Sequence, residues 1–230
     1  MKNPFYSLNR KDWAIYLISL LIVLICNIVG HINLLNLILT GVGVTALIFT
    51  AKGNVWGQVC SAIFCIIYSI QSYFEHYYGE IIISLVMTLP LAVFSIYTWL
   101  KNPFKKGEDV VKIRILSLKE KVLLLFLATA VSTVFYFILK ALGTESLLVS
   151  TISVFTSFIA SYLLLRRNSF YAVAYMFNDV VLITLWTIAT LKQISNLSIL
   201  ACFLTFFFND LYAFIKWRIR EREQGLKTKK

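Results

Sequence analysis

Two matching polar pairs, Asn178-Asp179 and Asn209-Asp210, lie inside stretches that are otherwise apolar on every side. Their aspartates are the only formal charges within any apolar span read from the sequence. A carboxylate at membrane depth costs about 3 kcal/mol or more unless it is paired, hydrated or neutralised, and such groups usually face a bundle interior or a water-filled cavity. An amide offers donors and an acceptor, an aspartate acceptors alone. Together they suit ribose hydroxyls, a carboxamide or a cation; the bland alternative is hydrogen bonding that glues helices together. Aromatic groups accompany the pairs. Tyr212 follows Asn209 by three positions and Trp186 follows Asp179 by seven, each on one helical face. Such rings bind cationic or heteroaromatic groups, although Trp186 also fits an interfacial belt. Tyr68 and Gln71, one turn apart on an earlier span, are candidates for the far wall of the same cavity, with core packing as the alternative. The expected substrate-binding set is thus Asn178, Asn209, Tyr212, Asp179, Asp210, Trp186, Tyr68 and Gln71.

Catalysis is not expected. The two histidines, His31 and His76, fall in breaks between spans, and no Ser/His/Asp set or phosphate loop is present. Cys26, Cys60, Cys65 and Cys202 lack metal spacing and read as small core residues. No metal and no cofactor is expected.

The elements that must position these residues follow from hydropathy. The 230 residues are 59% hydrophobic with a mean hydropathy of +0.79, more apolar material than a soluble domain of this size can hide. About 20 apolar residues cross a bilayer. Eight stretches qualify: Trp13–Val29, Ile32–Thr50, Val55–Phe74, Ile81–Leu100, Val122–Leu139, Leu147–Leu165, Phe170–Leu191 and Leu197–Ile215. They are continuous rather than alternating, which excludes a barrel. The fold class is an all-α polytopic membrane protein. Pro90 falls in mid-span and should kink or break the fourth helix. The first span lacks a cleavage signature and reads as a helix that is kept. The net charge of +11 lies in loops and tails, so it speaks for lipid headgroups and topology rather than nucleic acid.

One side of the membrane collects Lys2, Arg10, Lys11, Lys52, the connection Lys101–Lys121, Arg166, Arg167 and everything from Lys216 onward, 20 of the 22 basic residues. The other side receives Lys140 and Lys192, with Glu75, Glu80 and Glu145. The split predicts an even number of spans with both termini cytoplasmic.

A shift of 114 residues lays Ile32–Thr50 on Ser146–Leu164, Lys52 on Arg166 and Asn54 on Asn168; one more residue brings Tyr97 onto Tyr212. The expected organisation is an extra helix (13–29), a three-helix unit (32–100), a linker helix (122–139), a second three-helix unit (147–217) in parallel orientation and a basic tail (218–230). Parallel repeats are a recurring transporter design, with substrate at the repeat interface near mid-membrane. Asn178 lies about 16 Å from Arg167, and Asn209 about 12 Å from Trp217, along their helices, so both pairs sit near that depth.

The turn Lys52-Gly-Asn-Val-Trp56-Gly57, the turn Tyr77-Tyr78-Gly79-Glu80, the helix end Tyr97-Thr-Trp99, and Arg166-Arg167, Asn178 and Asn209-Asp-Leu-Tyr212 to Trp217 resemble the PnuC family of nicotinamide riboside transporters. The resemblance implies a full-length, SWEET-like fold, a homotrimer in the inner membrane with one pathway per protomer, and facilitated diffusion of nicotinamide riboside trapped inside by phosphorylation. Relatives carry thiamine or riboflavin, and an ion-coupled or uniport carrier of such a vitamin is the alternative. Under the repeat, Phe64 stands where the second copy has Asn178, and Phe94 where it has Asn209, so polarity comes from the second copy.

Overall fold

The computed structural model describes residues 4–105, 110–144 and 146–225. Lys2, Lys106, Glu145, Lys227, Lys229 and Lys230, which enter the charge split, lie outside the described residues. Eight helices are long and apolar enough to cross a bilayer among those described: α1 (Arg10–Val29), α2 (Leu34–Ala51), α3 (Trp56–Phe74), α4 (Tyr78–Lys101), α5 (Leu118–Ala141), α6 (Leu147–Leu165), α7 (Tyr171–Lys192) and α8 (Leu197–Glu223).

Local chemistry sets the helix ends. Asp12 N donates to Asn9 Oδ1 at 2.9 Å and Asn9 N to Asp12 Oδ2 at 2.8 Å. This reciprocal cap starts α1 upstream of the expected Trp13. The loops after α2 and α6 are built alike. Gly53 (φ 64°) and Arg167 (φ 58°) turn the chain through the left-handed region. The following Asn54 and Asn168 then accept from Trp56 N at 3.0 Å and Phe170 N at 3.1 Å. Arg167 adopts this costly conformation because its carbonyl accepts from Arg114 N at 3.0 Å. Burial, with Arg114 and Arg166 beside it, holds the Arg167 guanidinium below its ordinary pKa.

The expected break at Pro90 takes a specific form. Residues Ile83–Thr88 widen into a π-helical segment, and an ordinary helix resumes at Leu89. Pro90 has no N–H to offer the preceding turn, and a wider turn there absorbs the mismatch.

Large apolar side chains such as Leu21, Phe126 and Val134 cover the outside, as lipid contact requires. Polar groups are kept within. Because lipid tails are as apolar as leucine, hydrogen bonds and close packing hold such a bundle. Trp99 Nε1 donates to Leu164 O at 3.2 Å, and Trp217 Nε1 to Thr50 O at 3.0 Å. Each indole thus ties the end of one helix to the end of another, with the two rings 5.8 Å apart. The connection after α4 returns beneath these ends. Val111 N donates to Gly53 O at 3.0 Å, and Ile113 N to Gln224 Oε1 at 2.8 Å. Helix α5 lies to one side, packing Phe135 and Leu139 against Ile83, Met87 and Val154.

Candidate functional site

A cavity of about 120 Å³ lies at the centre of the bundle. It is lined from α2, α3, α4, α6, α7 and α8, and neither α1 nor α5 contributes. Helical phase decides which side chains reach it. On α7, Tyr171, Tyr175, Asn178, Asp179 and Leu182 share a face; on α8, Phe203, Phe206 and Asp210 do. Gly43 of α2 keeps the space open between two rings: a Cβ there would stand 2.6 Å from Phe206 and 2.8 Å from Phe64.

Of the eight expected site residues, Asn178, Asp179, Asp210 and Tyr68 line the cavity. Asn178 Oδ1 accepts from Thr156 Oγ1 and Ser157 Oγ, both at 2.8 Å. The carbonyl is thereby tied to α6, and the amide presents its N–H donors. Asp179 and Asp210 are each 2% exposed, and their carboxyl groups meet in a hydrogen bond. Asp179 Oδ2 and the Tyr171 hydroxyl have no protein partner although both are buried.

The other four expected residues do other work. Asn209 donates to Ser19 Oγ at 3.0 Å and to Thr205 O at 2.7 Å. Tyr212 donates its hydroxyl to Asp12 Oδ1. Both therefore face α1, which corrects their expected place beside Asn178. The reason is geometric. Consecutive residues point about 100° apart, so α8 cannot turn Asn209 and Asp210 into one cavity, and the face of Phe203 and Phe206 carries Asp210 inward. Trp186 is neither belt nor cavity lining. It is fully buried, donates to Tyr68 Oη at 3.0 Å and packs on Phe203. Gln71 donates to Asn196 Oδ1 at 3.4 Å, behind the wall.

Buried rings lie at both ends of the cavity. Toward the end rich in Lys and Arg, Tyr171 stands edge-on to Trp217 at 4.8 Å. Toward the other, Tyr68 and Tyr77 pack on Trp186 at 5.9 and 5.7 Å.

Two buried acids on the cavity wall and at the start of α1, Glu80 and Asp12, escaped the sequence reading. Glu80 was placed in an outer turn. It instead opens α4, is 2% exposed, lines the cavity and accepts from Tyr68 Oη at 3.3 Å. Its signal was the stripe Glu80, Ile83, Ser84 and Met87 at helical spacing. Asp12 is fully buried and pairs with Lys52 at 2.8 Å, with Lys216 at 4.0 Å. Its signal was the cap motif Asn9-x-x-Asp12, which extends the first helix past Trp13.

A multi-pass helical bundle whose exterior is apolar, enclosing a largely apolar cavity into which three acids and an amide reach, fits a membrane transport protein. The comparisons agree. The profile of the family described as nicotinamide mononucleotide transporter matches residues 33–219, and the chain belongs to that family. It is 23% identical over 189 residues to the nicotinamide riboside transporter PnuC of Neisseria mucosa, covering 80% of this chain and 72% of that one. The crystal structure of the vitamin B3 transporter PnuC superposes with a TM-score of 0.83 at 19% identity, covering 94% of each chain, and shows the same fold. The family is one of transporters, not enzymes.

Proposed function

We propose that the protein carries nicotinamide riboside across the inner membrane by facilitated diffusion, and that phosphorylation in the cytoplasm traps the product. The observation that carries this reading is the cavity itself. Amide donors at Asn178 suit a carboxamide or ribose hydroxyls. The carboxyl pair Asp179/Asp210 suits a positive charge. The stacked rings of Phe64 and Tyr68, 5.5 Å apart, offer a flat aromatic wall for a pyridinium. Asn209, Tyr212, Trp186 and Gln71 support this wall and its neighbouring helices.

The surrounding architecture is read in the same way. Two parallel three-helix units, α2–α4 and α6–α8, flank α5, with α1 added in front. The crossed indole bonds support this, since Trp99 reaches the end of α6 as Trp217 reaches the end of α2. They also align the third helices by 118 residues rather than the 115 that Tyr97 and Tyr212 suggest. In this reading the basic end faces the cytoplasm, which the 20-to-2 charge split supports. A homotrimer with one pathway per protomer belongs to the same reading, and the groove on α5 and α6, lined by Thr129, Tyr136, Phe137, Ile152 and Phe155 among others, offers a face for another protomer.

The test is titration of purified protein with nicotinamide riboside, thiamine and riboflavin. Binding of nicotinamide riboside well above the other two supports the reading; preference for thiamine or riboflavin overturns the substrate while leaving the site intact.

A further inference from the structure

The carboxyl pair is the place in the cavity where two acids lie side by side. Asp179 and Asp210 are hydrogen-bond neighbours, both are buried and both line the cavity. Asp179 Oδ2 and the Tyr171 hydroxyl, both buried and both lining the cavity, are left without a protein partner. Among the described residues no Lys, Arg or His lines this space. The protein therefore supplies no positive charge of its own to two adjacent acids.

The other titratable groups around the cavity are Tyr171 and Tyr175 on α7, Cys65 and Tyr68 on α3 and Glu80 on α4. Cys202 of α8 and, beyond Tyr171, Arg220 stand behind them. Helices α2 and α6 present only neutral groups. The volume of about 120 Å³ is several times the 10–15 Å³ that one water's centre needs, so a leaving proton has water to receive it.

We propose that Asp179 and Asp210 form a proton-for-cation exchange site. This rests on the reading of the protein as a carrier of a positively charged nucleoside. In the empty cavity one carboxyl donates to the other. A cationic ring settling beside them takes over the role of the shared proton: the acid O–H bond breaks, the proton passes to cavity water, and two carboxylates remain facing one fixed positive charge. Two bare carboxylates in contact would repel each other; the incoming cation removes that repulsion. Binding of a cation thus releases about one proton, whereas a neutral molecule of the same shape releases none.

The test uses the full chain in detergent and two probes that differ in charge, nicotinamide riboside and its neutral dihydro form. Binding heats in two buffers of different ionisation enthalpy count the protons. The cation should release about one, and its Kd should fall about tenfold for each unit of rising pH while the pair is protonated when empty. The neutral probe should release none and bind independently of pH. Asp210→Asn replaces the acid by an amide without a titrating proton, so the proton release and the pH dependence of cation binding should both vanish. Cation binding without proton release, or release that survives Asp210→Asn and Asp179→Asn, overturns the exchange and leaves the substrate reading standing. Failure of nicotinamide riboside, its dihydro form and thiamine all to bind overturns the substrate reading and the exchange with it.

Discussion

Replacing Asn178 and Asn209 by leucine, one at a time, should separate binding from stability, although the two residues sit in matching Asn-Asp pairs. Asn178 lines the cavity with its carbonyl held by Thr156 and Ser157. In Asn178→Leu the ligand loses the amide donors and keeps a desolvated acceptor, at about 1–3 kcal/mol, which is about a tenfold to hundredfold loss of affinity. The fold suffers less. Thr156 Oγ1 retains Ile152 O at 3.0 Å and Ser153 O at 3.2 Å, and a larger apolar side chain suits a buried helix. Asn209 makes no wall of the cavity, and its amide serves Ser19 and Thr205. Asn209→Leu should therefore change affinity by no more than about twofold, while loss of the bond to α1 destabilises the bundle by about 1–3 kcal/mol. Titration calorimetry with nicotinamide riboside gives the first quantity and thermal unfolding of the same samples the second. If Asn209→Leu loses binding and Asn178→Leu binds as the parent does, the assignment of faces on α7 and α8 is wrong.

Three further outcomes are expected. Asp12→Ala leaves Lys52 without its buried partner and should cost about 3–5 kcal/mol, read as a fall in melting temperature; Asp12→Leu with Lys52→Met should recover part of it, and no recovery would mean that the pair is not what matters. In a background free of native cysteines, His76→Cys should react with an impermeant thiol reagent from outside and Lys119→Cys only after permeabilisation, both positions being exposed; the reverse pattern overturns the orientation. In sealed vesicles at equal pH without a phosphorylating enzyme, internal nicotinamide riboside should level with the external concentration, and accumulation beyond it would reject facilitated diffusion.

The spans were legible because hydropathy is a property of the whole stretch and survives errors at single residues. Their ends were less so. Asp12 and Glu80 sit where an apolar window closes, and both were lost to that edge: a window weighs a charge against its neighbours, whereas the fold asks only whether the charge finds a partner. Asp12 finds Lys52 forty residues away and Glu80 finds Tyr68, and nothing local announces either. The polar pairs were legible as important but not as divided. The sequence allows Asn209 or Asp210 to face inward, and only the packing of Phe203 and Phe206 against Phe64, Tyr68 and Trp186 fixes the rotation of α8. Trp186 was ambiguous for a related reason. Its distance along α7 gives depth, while its burial depends on Tyr68 and Tyr77 reaching it from α3 and the turn beyond.

That rotation of α8 gives the helix three duties at once. Asp210 faces the cavity and Asp179. About 100° and 160° away from Asp210, Asn209 and Tyr212 hold α1 through Ser19 and Asp12. One to two turns further on, Trp217 closes the basic end against Tyr171 and is fastened to the end of α2. A helix bonded on three sides cannot turn a single face without disturbing the others. Asp210 and the Trp217 closure are thereby joined along one rigid rod, about 10 Å apart at 1.5 Å per residue. Helix α1 lines no part of the cavity, yet it helps fix the rotation of α8, because Ser19 and Asp12 hold Asn209 and Tyr212 on faces turned away from that cavity. The extra helix is then a brace on the cavity rather than part of its wall, which accounts for a fully buried aspartate at the very start of a helix that otherwise turns mostly outward.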